Sequence, residues 1–262
     1  MSVEKVSPIR LLNKVAIITG SARSIGKAVA LNFVQEGASV VIADRDGEEA
    51  AFVARQLTEL GASAIAVQAD VSNEGDVDRL VQETVDRFGA IDILVNNAGI
   101  DPRKSWLDIT GDEWDQVMSV NAKSQFLCAR AAFPYLRDRN RGNGKIINVS
   151  SVVFFLGQPN YVHYVASKGA VIGFTRALAR EVGGSGINVN CITPGAVHTE
   201  TELEKAGQQA VDQFTDYITG IQCFGRRQFT DDIVGAFVFL ASAESDFITG
   251  QTLNVDGGWV MH

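Results

Sequence analysis

The sequence predicts a single doubly wound α/β domain, with a mostly parallel seven-stranded sheet and helices on both faces. Three observations predict it. Seven short apolar runs, most of them dense in Val and Ile as strands buried on both faces should be, recur along the whole chain. Amphipathic stretches of helical length lie between them, and a βαβαβ alternation implies parallel strands joined by right-handed crossovers. The 262 residues are 46% hydrophobic with 25 glycines and 5 prolines, which suits tight turns and one large domain rather than two small ones.

The predicted strands are KVAIIT (14–19), SVVIAD (39–44), SAIAVQAD (63–70), IDILVNN (91–97), GKIINVSS (144–151), GINVNCIT (186–193) and QTLNVDG (251–257). The helical period runs from Ile25 to Glu36, Gly47 to Leu60 and Glu74 to Phe88, then from near Asp112 and from Tyr161 to Val182. Thr110 followed by Glu113 reads as a capping box for the helix near Asp112. One domain is expected over 1–262, without linker, repeat or low-complexity segment. Residues 1–12 are expected to be a mobile tail. Residues 196–222 carry the weakest periodicity and are expected to be a lid over a site.

Composition excludes several classes. A net charge of −8 argues against nucleic acid or anionic membrane as a partner, because both reward a basic face. No apolar run reaches the roughly 18 residues of a membrane span, and charges interrupt the N-terminal stretch where a signal peptide would be unbroken. The expected location is cytoplasmic. Cys128, Cys191 and Cys223 match neither a disulfide framework nor a zinc spacing and are expected to be buried free thiols. His163, His198 and His262 form no metal-ligand cluster, so no metal is expected.

The first strand runs into Thr19-Gly20-Ser21-Ala22-Arg23-Ser24-Ile25-Gly26. A glycine-bearing turn that opens a helix can set backbone N–H groups and the helix dipole against a pyrophosphate. The second strand ends at Asp44, where a carboxylate can accept from both ribose hydroxyls of an adenosine and repel a 2′-phosphate. Asp70-Val71 and Asn96-Asn97-Ala98-Gly99 close the third and fourth strands, at the sheet edge where adenine and the rest of a dinucleotide would lie.

With these residues in place, the chain resembles the classical short-chain dehydrogenase/reductase (SDR) family, a Rossmann-type fold, from Lys14 to about Gly258. The turn TGSARSIG, the element NNAG, Asn121 in SVNAKS, Ser151 in INVSSVV, Tyr164 and Lys168 in YVASK, and Pro194-Gly195 with Val197 and Thr199 stand in family order and spacing. The resemblance implies Asn121, Ser151, Tyr164 and Lys168 as catalytic residues. It implies NAD at Gly20, Arg23, Ser24, Ile25, Gly26, Asp44, Asp70, Val71, Asn97, Ala98, Gly99, Tyr164, Lys168, Pro194, Gly195, Val197 and Thr199. One departure is Ser24, which stands where the family has its middle glycine; its hydroxyl is expected to cap the helix or to meet a phosphate. Arg23 leans toward NADP and Asp44 toward NAD, and Asp44 carries more weight because it would sit directly on the ribose.

Tyr164 and Lys168 share a helix face at i and i+4. A phenol titrates near ~10, and a neighbouring ammonium with a positive nicotinamide ring is expected to lower it by about three units. Tyr164 would then exchange the alcohol proton, Ser151 would hydrogen-bond the substrate oxygen, Lys168 would hold the nicotinamide ribose, and Asn121 would hold a water. Trp106, Val153, Phe155 and His198 are candidate substrate contacts. With Phe154 beside Phe155, they suggest a fairly apolar, ring-containing secondary alcohol or ketone. The stretch VVFFLGQPN is similar to family members that oxidise 1-phenylethanol or pyridoxal. Two rivals are a 3-oxoacyl-[acyl-carrier-protein] reductase and a catalytically silent NAD-binding protein. The apolar end Trp259-Val260-Met261 and the family's habit of pairing helices imply a homotetramer.

Overall fold

The computed structural model describes residues 9–261; residues 1–8 and His262, part of the expected tail and the chain end, lie outside them. The chain alternates as expected. It runs β1 (Val15–Thr19), α1 (Ser24–Gln35), β2 (Ser39–Asp44), α2 (Gly47–Glu59), β3 (Ala64–Gln68), α3 (Glu74–Phe88) and β4 (Ile93–Asn96). It continues through α4 (Gly111–Met118), a π-helical turn (Ser119–Lys123), α5 (Ser124–Leu136), β5 (Gly144–Val149), the short α6 (Val153–Leu156) and α7 (Val162–Val182). It ends with β6 (Ile187–Pro194), α8 (Glu200–Ala206), α9 (Gln208–Ile221), α10 (Asp231–Ala241) and β7 (Thr252–Val255).

The sheet order is β3-β2-β1-β4-β5-β6-β7, and every pairing is parallel. The alternation of side chains explains why both faces are covered. Ala16, Ile18, Val40 and Ile42 face α1, α2 and α10 through Phe33, Val53, Leu57 and Phe237. Ile17, Val41 and Ala43 face α3 and α5 through Leu80 and Leu127 on the other side. Strand order reverses at β1, so the carboxyl ends of β1 and β4 diverge and open a crevice.

Three expectations change, and the irregular or helical insertion expected over 196–222 takes helical form. The tail ends sooner than residue 12, because Leu11 is fully buried and Arg10 pairs with Glu36 at 2.5 Å. The helix near Asp112 starts on the expected capping box but is α4 and α5 joined by the π-helical turn. Residues 200–221 fold into two helices broken at Gly207, whose φ of +75° stops α8. Cys128 and Cys191 are buried free thiols, pushed up to about 12 by burial, but Cys223 is exposed beside the C-terminal turn, where its Sγ faces the Gly258 carbonyl at 3.5 Å.

Candidate active site

The crevice starts at the β1–α1 turn. Gly20 has φ +63°, and a Cβ there would lie 2.8 Å from the Ala98 Cα; a Cβ on Gly26 would lie 2.3 Å from the Gly20 carbonyl oxygen. Both positions therefore exclude a side chain. Asn97 fastens this turn to β4, since its Nδ2 donates to the carbonyls of Thr19 and Gly20 at 3.0 and 2.9 Å. Asp44 accepts from the backbone N–H groups of Ala22 at 3.1 Å and of Asp46 at 3.1 Å, which aims its carboxylate at the mouth of the turn. Arg23 is drawn aside into an ion pair with Asp46 at 2.8 Å. The first turn of α1 carries no acidic side chain to oppose an anion. A side-chain-free turn, a helix N-terminus and a carboxylate at the end of β2 together fit a dinucleotide.

Ser24 departs from expectation. Its φ is +52°, a left-handed backbone that favours glycine, and it neither caps α1 nor leaves its hydroxyl free. The Oγ lies 2.9 Å from Thr201 Oγ1 instead, so the turn is tied to α8. Asp70 accepts from the backbone N–H and hydroxyl of Ser72 at 2.9 and 2.6 Å, in an exposed turn that Val71 anchors by burial. Beyond β6, Pro194 and Gly195 lead into a tight turn in which the Val197 N–H donates to the Gly195 carbonyl. Thr199 caps α8, accepting from the Glu202 N–H at 3.2 Å. His198 is turned onto Glu202 at 3.2 Å and edge-on to Phe229.

Across the crevice, the structure brings together the four residues implied as catalytic. Ser151 follows β5, and its side chain hydrogen-bonds Tyr164 on α7. Lys168, one turn further along α7, has its Nζ 5.5 Å from the Tyr164 ring centre and donating to the Val149 carbonyl at 2.9 Å. Asn121, on the π-helical turn, is fully buried. Its amide accepts from the Ile100 N–H at 2.8 Å and donates to the Ile100 carbonyl at 2.9 Å and Ser167 Oγ at 3.0 Å. A Cβ on Gly99 would fall 3.3 Å from Asn121 Oδ1 and 3.5 Å from Lys168 Nζ, so the end of β4 closes this group from behind. Ile25, Ala98 and Ser150 complete the frame; Ser150 Oγ donates to the Lys168 carbonyl at 2.7 Å and pins α7 to β5.

The electrostatics differ from the sequence expectation. Burial pushes the Tyr164 phenol up, the negative charge of Asp101 adds to this, and the hydrogen bond with Ser151 opposes it. Burial also brings Lys168 down, to about 8. Among the protein's own groups, burial is the largest influence on the phenol. Tyr164 is thus held as a neutral phenol, a proton donor rather than a ready base.

The candidate substrate residues divide. Trp106 is 67% exposed in the loop after β4. Phe155 packs on Val171, Ile172 and Cys191, and Phe154 lies on Gly169 of α7. Both aromatics thus turn onto α7, and Val153 is half-buried at the start of α6. Three residues escaped sequence reading: Asp101, Arg103 and Tyr161. Their only sequence signal is nearness to NNAG and to Tyr164. Among the described residues no group of three or more His, Cys, Asp or Glu could hold a metal ion.

The fold and these juxtaposed groups define an oxidoreductase acting on CH–OH groups. The family model described as enoyl-(acyl carrier protein) reductase matches residues 20–260. The chain belongs to the short-chain dehydrogenase/reductase family. It is 39% identical over 248 residues to the (2S)-[(R)-hydroxy(phenyl)methyl]succinyl-CoA dehydrogenase subunit BbsD of Thauera aromatica, covering 94% of this chain and 96% of that one. It is 36% identical to the 3-oxoacyl-[acyl-carrier-protein] reductase FabG of Thermotoga maritima, covering 97% and 100%. A solved gluconate 5-dehydrogenase from Burkholderia cenocepacia, in complex with NADP and tartrate, superposes with a TM-score of 0.88 at 39% identity, covering 96% and 97%.

Proposed function

We propose that this protein interconverts a ring-bearing secondary alcohol and its ketone with NAD, using Tyr164 as the proton-transfer group. The observation that carries this reading is Ser151 acting on Tyr164, with Lys168 one helical turn away and Gly99, at the end of β4, closing Asn121 and Lys168 from behind. A nicotinamide dinucleotide, bound along the glycine turn, supplies or accepts the hydride at the carbinol carbon. Ser151 orients the substrate oxygen. In reduction, the neutral Tyr164 phenol donates its proton to that oxygen as the carbonyl carbon gains hydride; in oxidation, the phenol oxygen takes it back. Lys168 holds the ribose and stabilises the phenolate as it forms. Asn121, bonded to Ile100 and Ser167, positions the β4 loop against α7 rather than acting on substrate.

Asp44 supports NAD over NADP. Its carboxylate is fixed by two backbone N–H groups where the adenosine ribose would lie, and Arg23 is engaged by Asp46. The solved relative carries NADP, so the support comes from this geometry rather than from kinship. In this reading the dinucleotide lies along the turn Gly20 to Gly26, Asp44 and the end of β4 at Asn97, Ala98 and Gly99. Residues 196–222 act as its lid in this reading, hinged where Thr201 meets Ser24.

The ring-bearing substrate rests on exposed Trp106 and on Tyr161 beside Tyr164. The name of the Thauera relative describes a hydroxy(phenyl)methyl group, a secondary alcohol carrying a ring. Reduction of 3-oxoacyl carrier-protein thioesters is the second reading, favoured by full-length kinship to FabG and opposed by the −8 charge, which repels an acidic carrier. A panel of alcohols and ketones, followed by NADH or NADPH absorbance, separates the readings. A homotetramer completes the proposal: it would bury exposed apolar side chains such as Trp114, Phe126 and Val162 on α4, α5 and α7, and Phe247 and Leu253 near the edge strand β7.

A further inference from the structure

Arg103 lies exposed in the loop after β4. Its Nε donates to the Tyr161 hydroxyl, and its guanidinium carbon sits 5.3 Å from the centre of the Tyr161 ring. Tyr161 is itself 7% exposed, with its ring centre 5.5 Å from that of Tyr164. The guanidinium is therefore tethered one aromatic ring away from the Ser151–Tyr164 pair, on a residue that packing holds still.

Some surface cations of this acidic chain are matched by acids; among the described residues others, such as Arg45, Arg55 and Arg137, are not. Lys104, the next residue, is held by both carboxylate oxygens of Glu113 at 2.7 and 2.9 Å. Arg103 differs: its Nη groups have no hydrogen bond and no ion pair among the described residues. An arginine restrained through Nε keeps its Nη pair as a planar fork, the geometry a carboxylate takes with two parallel hydrogen bonds.

We infer that Arg103 is a specificity-determining residue that takes a carboxylate of the substrate, which makes the preferred substrate a hydroxy- or oxo-carboxylate rather than a neutral alcohol. This rests on the alcohol–ketone reading above and adds to it. Tyr161 is a positioning residue for Arg103.

The test has a binding arm that needs no turnover. 3-Phenylpropionate, an unreactive carboxylate, is titrated calorimetrically into the protein with saturating NAD. Arg103→Met should weaken it about 10- to 100-fold, the range for losing a charged hydrogen-bond pair, and Arg103→Lys should weaken it less. Tyr161→Phe should weaken it several-fold with an unchanged melting temperature, because the Nε tether goes and the ring stays. In the turnover arm, the ratio of kcat/KM for 3-hydroxy-3-phenylpropionate to that for 1-phenylethanol should fall toward one in Arg103→Met. Equal 3-phenylpropionate affinity in wild type and Arg103→Met would overturn the assignment. So would tighter binding of pantetheine 4′-phosphate than of 3-phenylpropionate, which would give the fork to a phosphorylated arm. Absence of turnover on both alcohols, with the Arg103-dependent binding intact, would sink the alcohol reading and leave the carboxylate site standing.

Discussion

Lys168 Nζ stands 5.5 Å from the centre of the Tyr164 ring and is hydrogen-bonded to the Val149 carbonyl, not to the phenol. The two side chains share a helix face, yet burial governs both. It raises the phenol and lowers the amine to about 8, so each is biased toward its neutral form. The amine is still mostly charged at neutral pH, while the phenol is held neutral beside it.

A stability consequence follows from Lys168. Its folded value of about 8 lies below the ordinary ~10.5 of an unfolded lysine, so the unfolded chain binds more protons between those values. Stability from this group therefore rises with pH through that window, and below it the burial of the charge is a constant cost. Lys168→Met should melt higher than wild type at pH ~7, by about 2–8 °C for about 1–2 kcal/mol in a domain of this size. The advantage should shrink as pH approaches ~10. Melting curves of both proteins across that range check it; a difference that does not change with pH contradicts it.

The glycine turn gives a second outcome. A Cβ on Gly26 would sit 2.3 Å from the Gly20 carbonyl oxygen and 2.7 Å from Asn97 Nδ2. Gly26→Ala must push the turn off β4 and should cost about 1–3 kcal/mol, with weakened dinucleotide binding. Gly61→Ala is the contrast: nothing lies within 4 Å of its Cβ, so only the backbone strain of its φ of +85° remains. Denaturation midpoints and NADH fluorescence titrations of the two variants should separate them.

Asp44 should discriminate against NADP. Like charges ~4 Å apart repel by about 4 kcal/mol at an effective dielectric near 20, and solvation halves that, which still leaves more than tenfold. Asp44→Ala should bring the NAD and NADP efficiencies together by raising that for NADP. Wild-type kcat/KM values that are equal for the two cofactors contradict this role.

Two-fold pairing of the exposed apolar surfaces should give four chains per particle by light scattering at micromolar concentration. Phe247→Ser combined with Leu253→Ser, at the β7 edge, should leave dimers. A monomeric wild-type mass rules the assembly out.

Much of this architecture was legible before the structure. Buried parallel strands are nearly continuous Val and Ile runs, and their period alone separated them from the helices. Short motifs at strand ends marked the crevice because close backbone approach leaves few residue types that fit, as at Gly20 and Gly26. What escaped was set by tertiary packing. The π-helical turn at Asn121 has no local signature. Arg103 reads as an ordinary surface cation until Tyr161, fifty-eight residues later, is brought beside it. From the sequence, Phe154 and Phe155 could line a pocket or pack into the core; they turn onto α7, where Gly169 leaves room for a ring. The direction of the Tyr164 shift was also hidden, because sequence shows the neighbouring charge but not the burial that outweighs it.

The account stands most directly on Tyr164. The measurement is the rate of NADH formation from a ring-bearing secondary alcohol by wild type and by Tyr164→Phe, with NADH affinity measured on both by fluorescence. The ring and its packing survive the substitution, and only the proton-transfer oxygen is lost. The account predicts NADH affinity within about threefold of wild type and a fall in kcat of at least about a thousandfold, the combined effect of losing the general acid–base and its oxygen-orienting hydrogen bond. Retention of more than about a tenth of wild-type kcat by Tyr164→Phe would contradict it.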